Sequence, residues 1–424
     1  MSWVTVVHLL ACTTLCATPA DPELVTAAKQ FEVQLSTQIM PFWFERGQDR
    51  EHGGYSLEPG SRQLVGQTRM IWGFSHAHLR GLSSPERDYL QAARQGFQFL
   101  QKHFLDPENG GYYWTTDEAG NPTNRHKMIY GQAFVIYSLV EYYRASRDPR
   151  ALTAALEQFL VLQKKAHDPV SGGWYEHFTP DWQPVLQPEE HVSVEVPGYK
   201  SANAHLHLME AFTELYREMP DERVREALAE SLRLNRTYFY PLDPAACAFH
   251  CTPTWQRVTD PSSAGLSYGH NVEFAWLMLR AEQALGEPES WDHFYAHLDH
   301  ALKYGFDHEE GGLYNKGLDN QPALDREKVW WSQAELLAAL SIALQHQERA
   351  SDVQACRKLL EFLHRKMIDP QDGIWVASVA PDGQPKWNSK MNHWKANYHD
   401  VRAICIFLDV MLAEQSKSPF APQK

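Results

Sequence analysis

A few short stretches of the chain gather residues able to move protons. They are Arg69-Met-Ile-Trp72, Asn203-Ala-His205-Leu-His207, His270-Asn-Val-Glu273 and Trp394-Lys-Ala-Asn-Tyr398-His399. Imidazole changes charge near neutral pH, so histidine is the natural general acid or base. His205 and His207 are two residues apart, so on a helix they point to different faces; His207 is taken as the inward one. This also weakens a His-x-His metal reading. Glu273 follows His270 by three residues, on the same helix face, where it is expected to bond and orient that imidazole. Arg69 offers a cation for a developing oxyanion. No Gly-rich phosphate or dinucleotide motif and no clear metal set is visible, so neither cofactor nor metal is expected. The chemistry that fits is proton abstraction beside a carbonyl, with histidine as acid and base. Trp331 and Trp394 supply flat faces on which a polar ligand could stack.

Any one of these histidines taken alone is more often a hydrogen-bonded structural residue. Their register changes the balance. Positions 69, 130, 207, 270, 331 and 399 are spaced 61, 77, 63, 61 and 68 apart. Short Gly-Gly-aromatic turns recur as well, at Gly53-Gly54-Tyr55, Gly110-Gly111-Tyr112, Gly172-Gly173-Trp174 and Gly311-Gly312-Leu313-Tyr314, with a degenerate copy at Asp372-Gly373-Ile374-Trp375. Their first glycines are separated by 57, 62, 139 and 62 residues, and Tyr240-Pro-Leu-Asp243-Pro244 sits where the long gap lacks a copy. The result is six units of about 60 residues each, longer than common solenoid repeats.

Between the turns the pattern is helical. The stretch 87–104 carries its apolar residues at Leu90, Ala93, Phe97, Leu100 and Phe104, a single helical stripe. The stretches 128–142, 202–215, 269–285, 330–344 and 398–412 are apolar on most faces, which marks buried helices. Outer helices are expected to start near 22, 87, 151, 221, 288 and 351, and inner ones near 68, 127, 202, 269, 329 and 398. The first outer helix is expected to run from Pro22 to about Phe44. Six amphipathic/buried pairs without polar capping repeats predict a closed all-α (α/α)6 barrel. The chemical residues then meet at the N-terminal ends of the inner helices: Arg69 and Trp72, Lys127 and Tyr130, Asn203 and His207, His270 and Glu273, Trp330 and Trp331, Trp394 and His399. Partly positive helix termini converge there too, which favours an anion or oxyanion.

Composition agrees with a packed enzyme. The chain has 424 residues, 43% hydrophobic and 22% charged, with a net charge of −14. That acidic balance argues against nucleic acid. With a mean hydropathy of −0.48 and no long apolar run after residue 20, no membrane-spanning bundle is expected. Six cysteines show no recurring zinc spacing and are read as free thiols in a reducing compartment. The stretch 4–17 resembles a signal core, yet no Lys or Arg precedes it, so a cytoplasmic location is expected. The division is residues 1–21 as an apolar extension, 22–414 as one catalytic domain acting as a monomer or homodimer, and 415–424 as a frayed tail.

Several segments together carry a family resemblance. The segment from Lys200 to Ala211, Ser267-Tyr-Gly-His270-Asn-Val-Glu273, Lys328-Val-Trp330-Trp331-Ser-Gln-Ala-Glu335 and Trp394-Lys-Ala-Asn-Tyr398-His399 resemble motifs of the N-acylglucosamine 2-epimerase superfamily. So do Met40-Pro-Phe-Trp43, Asp49-Arg-Glu-His-Gly-Gly-Tyr55 and Arg69-Met-Ile-Trp72-Gly-Phe-Ser75. The resemblance runs from about residue 25 to 412 and is nearest the cellobiose and mannose 2-epimerase branch. It implies a cofactor-independent sugar 2-epimerase acting at C2 of a ring-opened aldose. His399 and His270 would be the acid/base pair, His207 and Arg69 would bind the carbonyl and enediolate oxygens, and Glu273 would support His270. Trp331, Trp394, Asn203, Tyr130 and Trp72 would bind the sugar. Asn271 departs from the branch, which usually has Asp there; it faces away from His270, so a packing or substrate effect is expected. The connection 176–199 is either a lid or a surface loop. An aldose–ketose isomerase and an N-acylglucosamine 2-epimerase remain as alternatives. A glycosidase would need two inward carboxylates, of which Glu273 is one candidate.

Overall fold

The computed structural model describes residues 21–188, 192, 194–260 and 265–412. The expected extension, apart from Asp21, and the expected tail lie outside the described residues. Outer and inner helices alternate along the chain. α1 (Pro22–Gln34) continues through a wider turn into α2 (Met40–Arg46) and is followed by inner α3 (Leu64–Leu79). Next come outer α4 (Tyr89–Phe99) with inner α5 (Ile129–Ser146), and outer α6 (Pro149–Lys165) with inner α7 (Ala202–Glu218). Outer α8 (Glu222–Leu234) with inner α9 (Tyr268–Leu285), outer α10 (Trp291–Tyr304) with inner α11 (Trp330–His346), and outer α12 (Ala350–Phe362) with inner α13 (His399–Met411) complete the set. This is the expected (α/α)6 barrel. The break in the first outer helix is the π-helical turn Leu35–Ile39. Pro41 follows it and has no N–H to donate, so a regular ladder could not pass through unchanged.

Aspartate caps start four of the outer helices. Asp21, Asp88, Asp148 and Asp221 cap α1, α4, α6 and α8 by accepting backbone N–H groups. Such caps satisfy donors that the first turn leaves over. Inner helices instead emerge from two-residue strands. Those before α3, α5, α7, α9 and α11 each pair antiparallel with a strand following the next unit's turn, as in Lys127↔Phe178 and Lys200↔Cys251. Each inner helix start is thereby fixed to its neighbour.

The Gly-Gly turns are tied to the inner helices by side chains. Gln67 and Gln132 bond both backbone groups of Tyr55 and Tyr112, and Gln333 does so for Leu313. In the third and fourth units the same brace is made by His205 Nε2, accepting from Trp174 N at 3.1 Å, and Asn271 Oδ1, accepting from Cys247 N at 2.9 Å. Asn271 is therefore a packing residue turned away from the axis, and His205 faces outward as the two-residue spacing with His207 requires. Gly173, at φ 71°, lies against that brace: a Cβ there would come within 2.7 Å of His205 Nε2. Lys127 also belongs to this framework and not to the axis. Its ammonium bonds Asp106 of the turn at 2.8 Å, as Lys200 bonds Asp168 and Lys328 bonds Asp307.

The ring closes where α13 meets α1 and α3. Phe31 packs edge-on to Phe407, with centroids 6.2 Å apart, and Arg357 bonds Asp21 at 2.5 Å. No strand pair spans this last seam among the described residues. His393 there meets Ser61 at 2.8 Å and Glu58 at 3.2 Å. Gly73 allows the closest approach, since a Cβ would lie 2.1 Å from the Asn397 carbonyl oxygen.

Candidate active site

Parallel inner helices bring the sequence-predicted residues to one end of the axis. Arg69 donates to the Tyr130 hydroxyl at 2.6 Å and to the Trp394 carbonyl, and its guanidinium lies 4.6 Å from the Phe134 ring centroid. The Tyr130 ring meets His207 at 5.1 Å and Trp394 at 6.3 Å. Trp331 lies between two imidazoles, 4.7 Å from His270 and 5.9 Å from His399. His207, His270 and His399 are buried, whereas Trp331, Trp394 and Asn203 keep partial exposure. Partly open indoles over buried imidazoles suit a polar ring with an apolar face. Trp330, by contrast, is buried.

Below the imidazoles lie residues that sequence reasoning missed. The His399 Nδ1 bonds Glu335 at 2.6 Å, and the His207 Nδ1 bonds Glu210 at 2.8 Å. Glu273 does not orient His270, as its spacing had suggested. It accepts from Arg402 at 2.9 Å, and Arg402 also bonds Glu335 at 2.8 Å, Glu210 and the Tyr398 hydroxyl. The physical reason is charge: buried carboxylates need a cation, and one guanidinium with five donors serves all three. Tyr398 also donates to Glu210 at 2.8 Å. Glu273, Glu335 and His399 are close enough for one ion to bridge, with ligand atoms within 4.8 Å of one another. The guanidinium of Arg402 already stands as the cation between the two carboxylates.

The partner of His270 is Asn203, whose Oδ1 lies 3.3 Å from Nε2. The Asn203 amide nitrogen donates to Glu195 at 2.9 Å, and Glu195 also meets His250 at 3.1 Å. Glu195 thus fixes which way the amide points, and the amide oxygen holds the proton on His270 Nε2. Glu195 comes from the connection 176–199, whose described parts fold inward: His177 Nε2 bonds the Val194 carbonyl. Glu176 of the same connection accepts from Tyr130 N at 3.1 Å and Ser201 Oγ at 2.7 Å, and burial pushes its carboxyl up to about 8.

Electrostatics keep the imidazoles neutral. Burial first, then the charges of His207, Lys316 and His399, lowers His270 well below its ordinary value. Burial, Arg69 and Arg402 do the same for His399. His207 is lowered by burial against the opposing bond from Glu210. Glu273 is raised well above the carboxylate range, by burial and then by Glu335. Burial pushes Glu210 up as well, but Arg402, His207 and Tyr398 outweigh it and its net shift is downward.

Trp72 is not brought to the imidazoles. It lies deeper, stacked on His76 at 4.7 Å and on Tyr137 at 5.9 Å, and edge-on to Tyr398. A buried arginine in an otherwise apolar helix was the signal for the missed cluster, since Arg402 had to have acidic partners. Glu195 left no such signal.

Comparison with known proteins shows the family of the chain. The family model for N-acylglucosamine 2-epimerase matches residues 47–403. The chain belongs to the N-acylglucosamine 2-epimerase family, a family of sugar epimerases and isomerases. A cellobiose 2-epimerase of Ruminococcus albus is 32% identical over 383 residues, covering 87% of this chain and 95% of its own. A D-mannose isomerase of Marinomonas mediterranea is 25% identical, covering 86% and 93%. The solved structure of a cellobiose 2-epimerase from Spirochaeta thermophila superimposes with a TM-score of 0.82 at 31% identity, covering 94% of this chain and 98% of that one. Among the described residues no helix is long and apolar enough to cross a membrane.

Proposed function

We propose that the chain epimerises an aldose, as a free sugar or at the reducing end of a β-linked disaccharide, at C2 through an enediolate. The observation that carries this reading is the pair of neutral imidazoles on either side of Trp331. They are held in opposite tautomers. The His399 Nδ1–H is held by Glu335, which leaves Nε2 with its lone pair as a base. His270 carries its resting proton on Nε2, directed to Asn203, which leaves Nδ1 to take up the proton it gives as the acid. His399 takes the C2 proton, and the electron pair moves onto the C1 carbonyl oxygen. Arg69 and His207 meet the negative charge that forms there. During turnover His270 takes a second proton from solvent on Nδ1; delivery of a proton from that imidazolium to the other face of C2 returns the carbonyl with inverted configuration, and His399 releases its proton to solvent. Burial lowers both pKa values, so the imidazoles stay neutral at physiological pH.

A glycosidase reading is weaker, because Glu273 and Glu335 share one guanidinium and do not flank a cleft. Aldose–ketose isomerisation uses the same abstraction with proton return to C1, and the product distinguishes it. Among the described residues, four buried cysteines without a disulfide support a reducing cytoplasmic location.

The test is incubation with mannose, glucose and cellobiose in heavy water. Deuterium should enter C2 with formation of the 2-epimer. His399→Ala should reduce exchange by about 10²–10⁴-fold with an unchanged helical spectrum. No C2 deuterium in any sugar would overturn the reading, and a ketose as main product would make the chain an isomerase.

A further inference from the structure

The inner helices end at the opposite pole of the axis around a second cavity of about 440 Å³. Arg80, Arg144, Arg147, Arg217 and Arg280 line it, against the carboxylates of Glu141, Glu214, Glu218 and Asp409. Arginines at helix C-termini are expected to complement the dipole and to bind neighbouring helices. Several here do so: Arg144 bonds Glu141, Glu214 and Glu218 at 3.1, 2.7 and 2.7 Å, and Arg80 bonds Asp409 at 2.5 Å.

Cation crowding exceeds that role. Glu214 takes Arg144 at 2.7 Å and Arg280 at 2.5 Å, and Arg217 lies within Coulombic reach of all three. The guanidinium of Arg217 is held below its ordinary value by burial first, with Glu214 opposing and the like charges of Arg280 and Arg144 adding to the shift. Arg147 stands exposed at the rim over the Tyr143 ring, with no carboxylate partner among the described residues. His76, bonded to Glu141 at 2.8 Å, adds to the positive side. Burial lowers its pKa, yet Cys405 and Glu141 outweigh burial and raise it to about 9. All this sits in a chain of net charge −14, whose other surfaces repel anions.

The geometry points to a second ligand site in this lower cavity, one that takes a small, multiply charged anion such as pyrophosphate or a tricarboxylate. Guanidinium forks bind such oxyanions through paired, charge-assisted hydrogen bonds. The aromatic floor argues for a compact occupant, since Trp72 is already stacked on His76 and Tyr137 and recognition falls to charge. Arg402 and Glu210 also line the cavity. Because Glu210 holds His207, the wall between the two chambers is shared with the proton-transfer machinery.

Titration calorimetry at matched ionic strength tests this, with pyrophosphate, citrate and orthophosphate as probes. One saturable event per chain is expected for pyrophosphate or citrate, tighter than for orthophosphate. Arg217→Gln should weaken it by about tenfold, the loss of one charge-assisted contact. Arg147→Gln should weaken it less; this exposed rim position carries no ion pair, so the fold is not at risk. Absence of saturable heat, or equal binding by wild type and both variants, would overturn the site. Orthophosphate binding as tightly as pyrophosphate would overturn the multiply charged occupant. The readout is binding alone, so it stands or falls separately from the sugar chemistry.

Discussion

The two poles of the barrel axis handle buried charge in opposite ways. At the pole where the inner helices begin, imidazoles are crowded by arginines and by one another, and burial strips their protons. At the pole where the helices end, Glu141 and Cys405 outweigh the burial of His76, and that imidazole keeps its proton. His270 and His76 are both histidines of inner helices, yet one is pushed well below its ordinary value and the other up to about 9. The neighbours decide the difference. Burial, then His207, Lys316 and His399 lower His270, whereas bonds to Cys405 and Glu141 outweigh burial at His76. Arg402 is the partition. It satisfies the carboxylates that orient His207 and His399 on one side, and it lines the Arg/Glu cavity on the other.

The hardest way to break this division is to remove the partition. Arg402→Met should cost about 3–5 kcal/mol of stability, the penalty for leaving buried carboxylates without their cation. It should also abolish turnover at temperatures where the variant is still folded. Thermal melts and exchange assays together check this; a stable, active variant would mean that the carboxylates are protonated and need no counter-ion.

A finer test uses pH. The unfolded chain binds protons on histidine below about 6.5. The folded upper pole excludes them, so its contribution to stability is full above that pH and falls as the solution becomes more acidic. His76 has the reverse sign. Its folded-state proton stabilises fully below about 6.5, and the contribution is lost as pH rises through about 9. His76→Gln should therefore flatten the alkaline side of a Tm profile, by about 1–3 kcal/mol, and His270→Gln the acid side. Nuclear magnetic resonance titration should find His76 still charged at a pH where His270 and His399 are neutral.

The smallest effect belongs to the edge of the upper pole. Glu195→Ala frees the Asn203 amide to flip, and kcat/KM should fall about tenfold, the worth of one lost orienting bond. Glu195→Gln, which keeps an acceptor, should retain most activity. Equal loss in both would show that charge at position 195, and not amide orientation, is what matters.

Much of the architecture was legible because it repeats. The apolar-all-round segments and Gly-Gly turns placed the helix pairs, and most predicted helix starts lie within a few residues of the observed ones. The four residues His207, His270, Trp331 and His399 are found together because each stands near the start of its helix, where register alone sets position. What register could not show is the layer beneath. Glu273 shares a helix face with His270, and spacing alone paired the two; the deeper partner arrives from α13, far away in sequence. Trp72 was placed with the sugar-binding residues because it follows Arg69 closely, yet one further helical turn carries it toward the other pole. Glu195 sits in an irregular connection, where no period exists to read.

The last seam of the ring has a consequence for the life of the chain. His399 and Arg402 are on the final helix, and the first helix can meet it only when nearly the whole chain is available. A ribosome-bound or prematurely ended product would have five inner helices in sequence and yet lack both the proposed base and the partition. On the proposed mechanism, proton transfer therefore waits for the completion of synthesis.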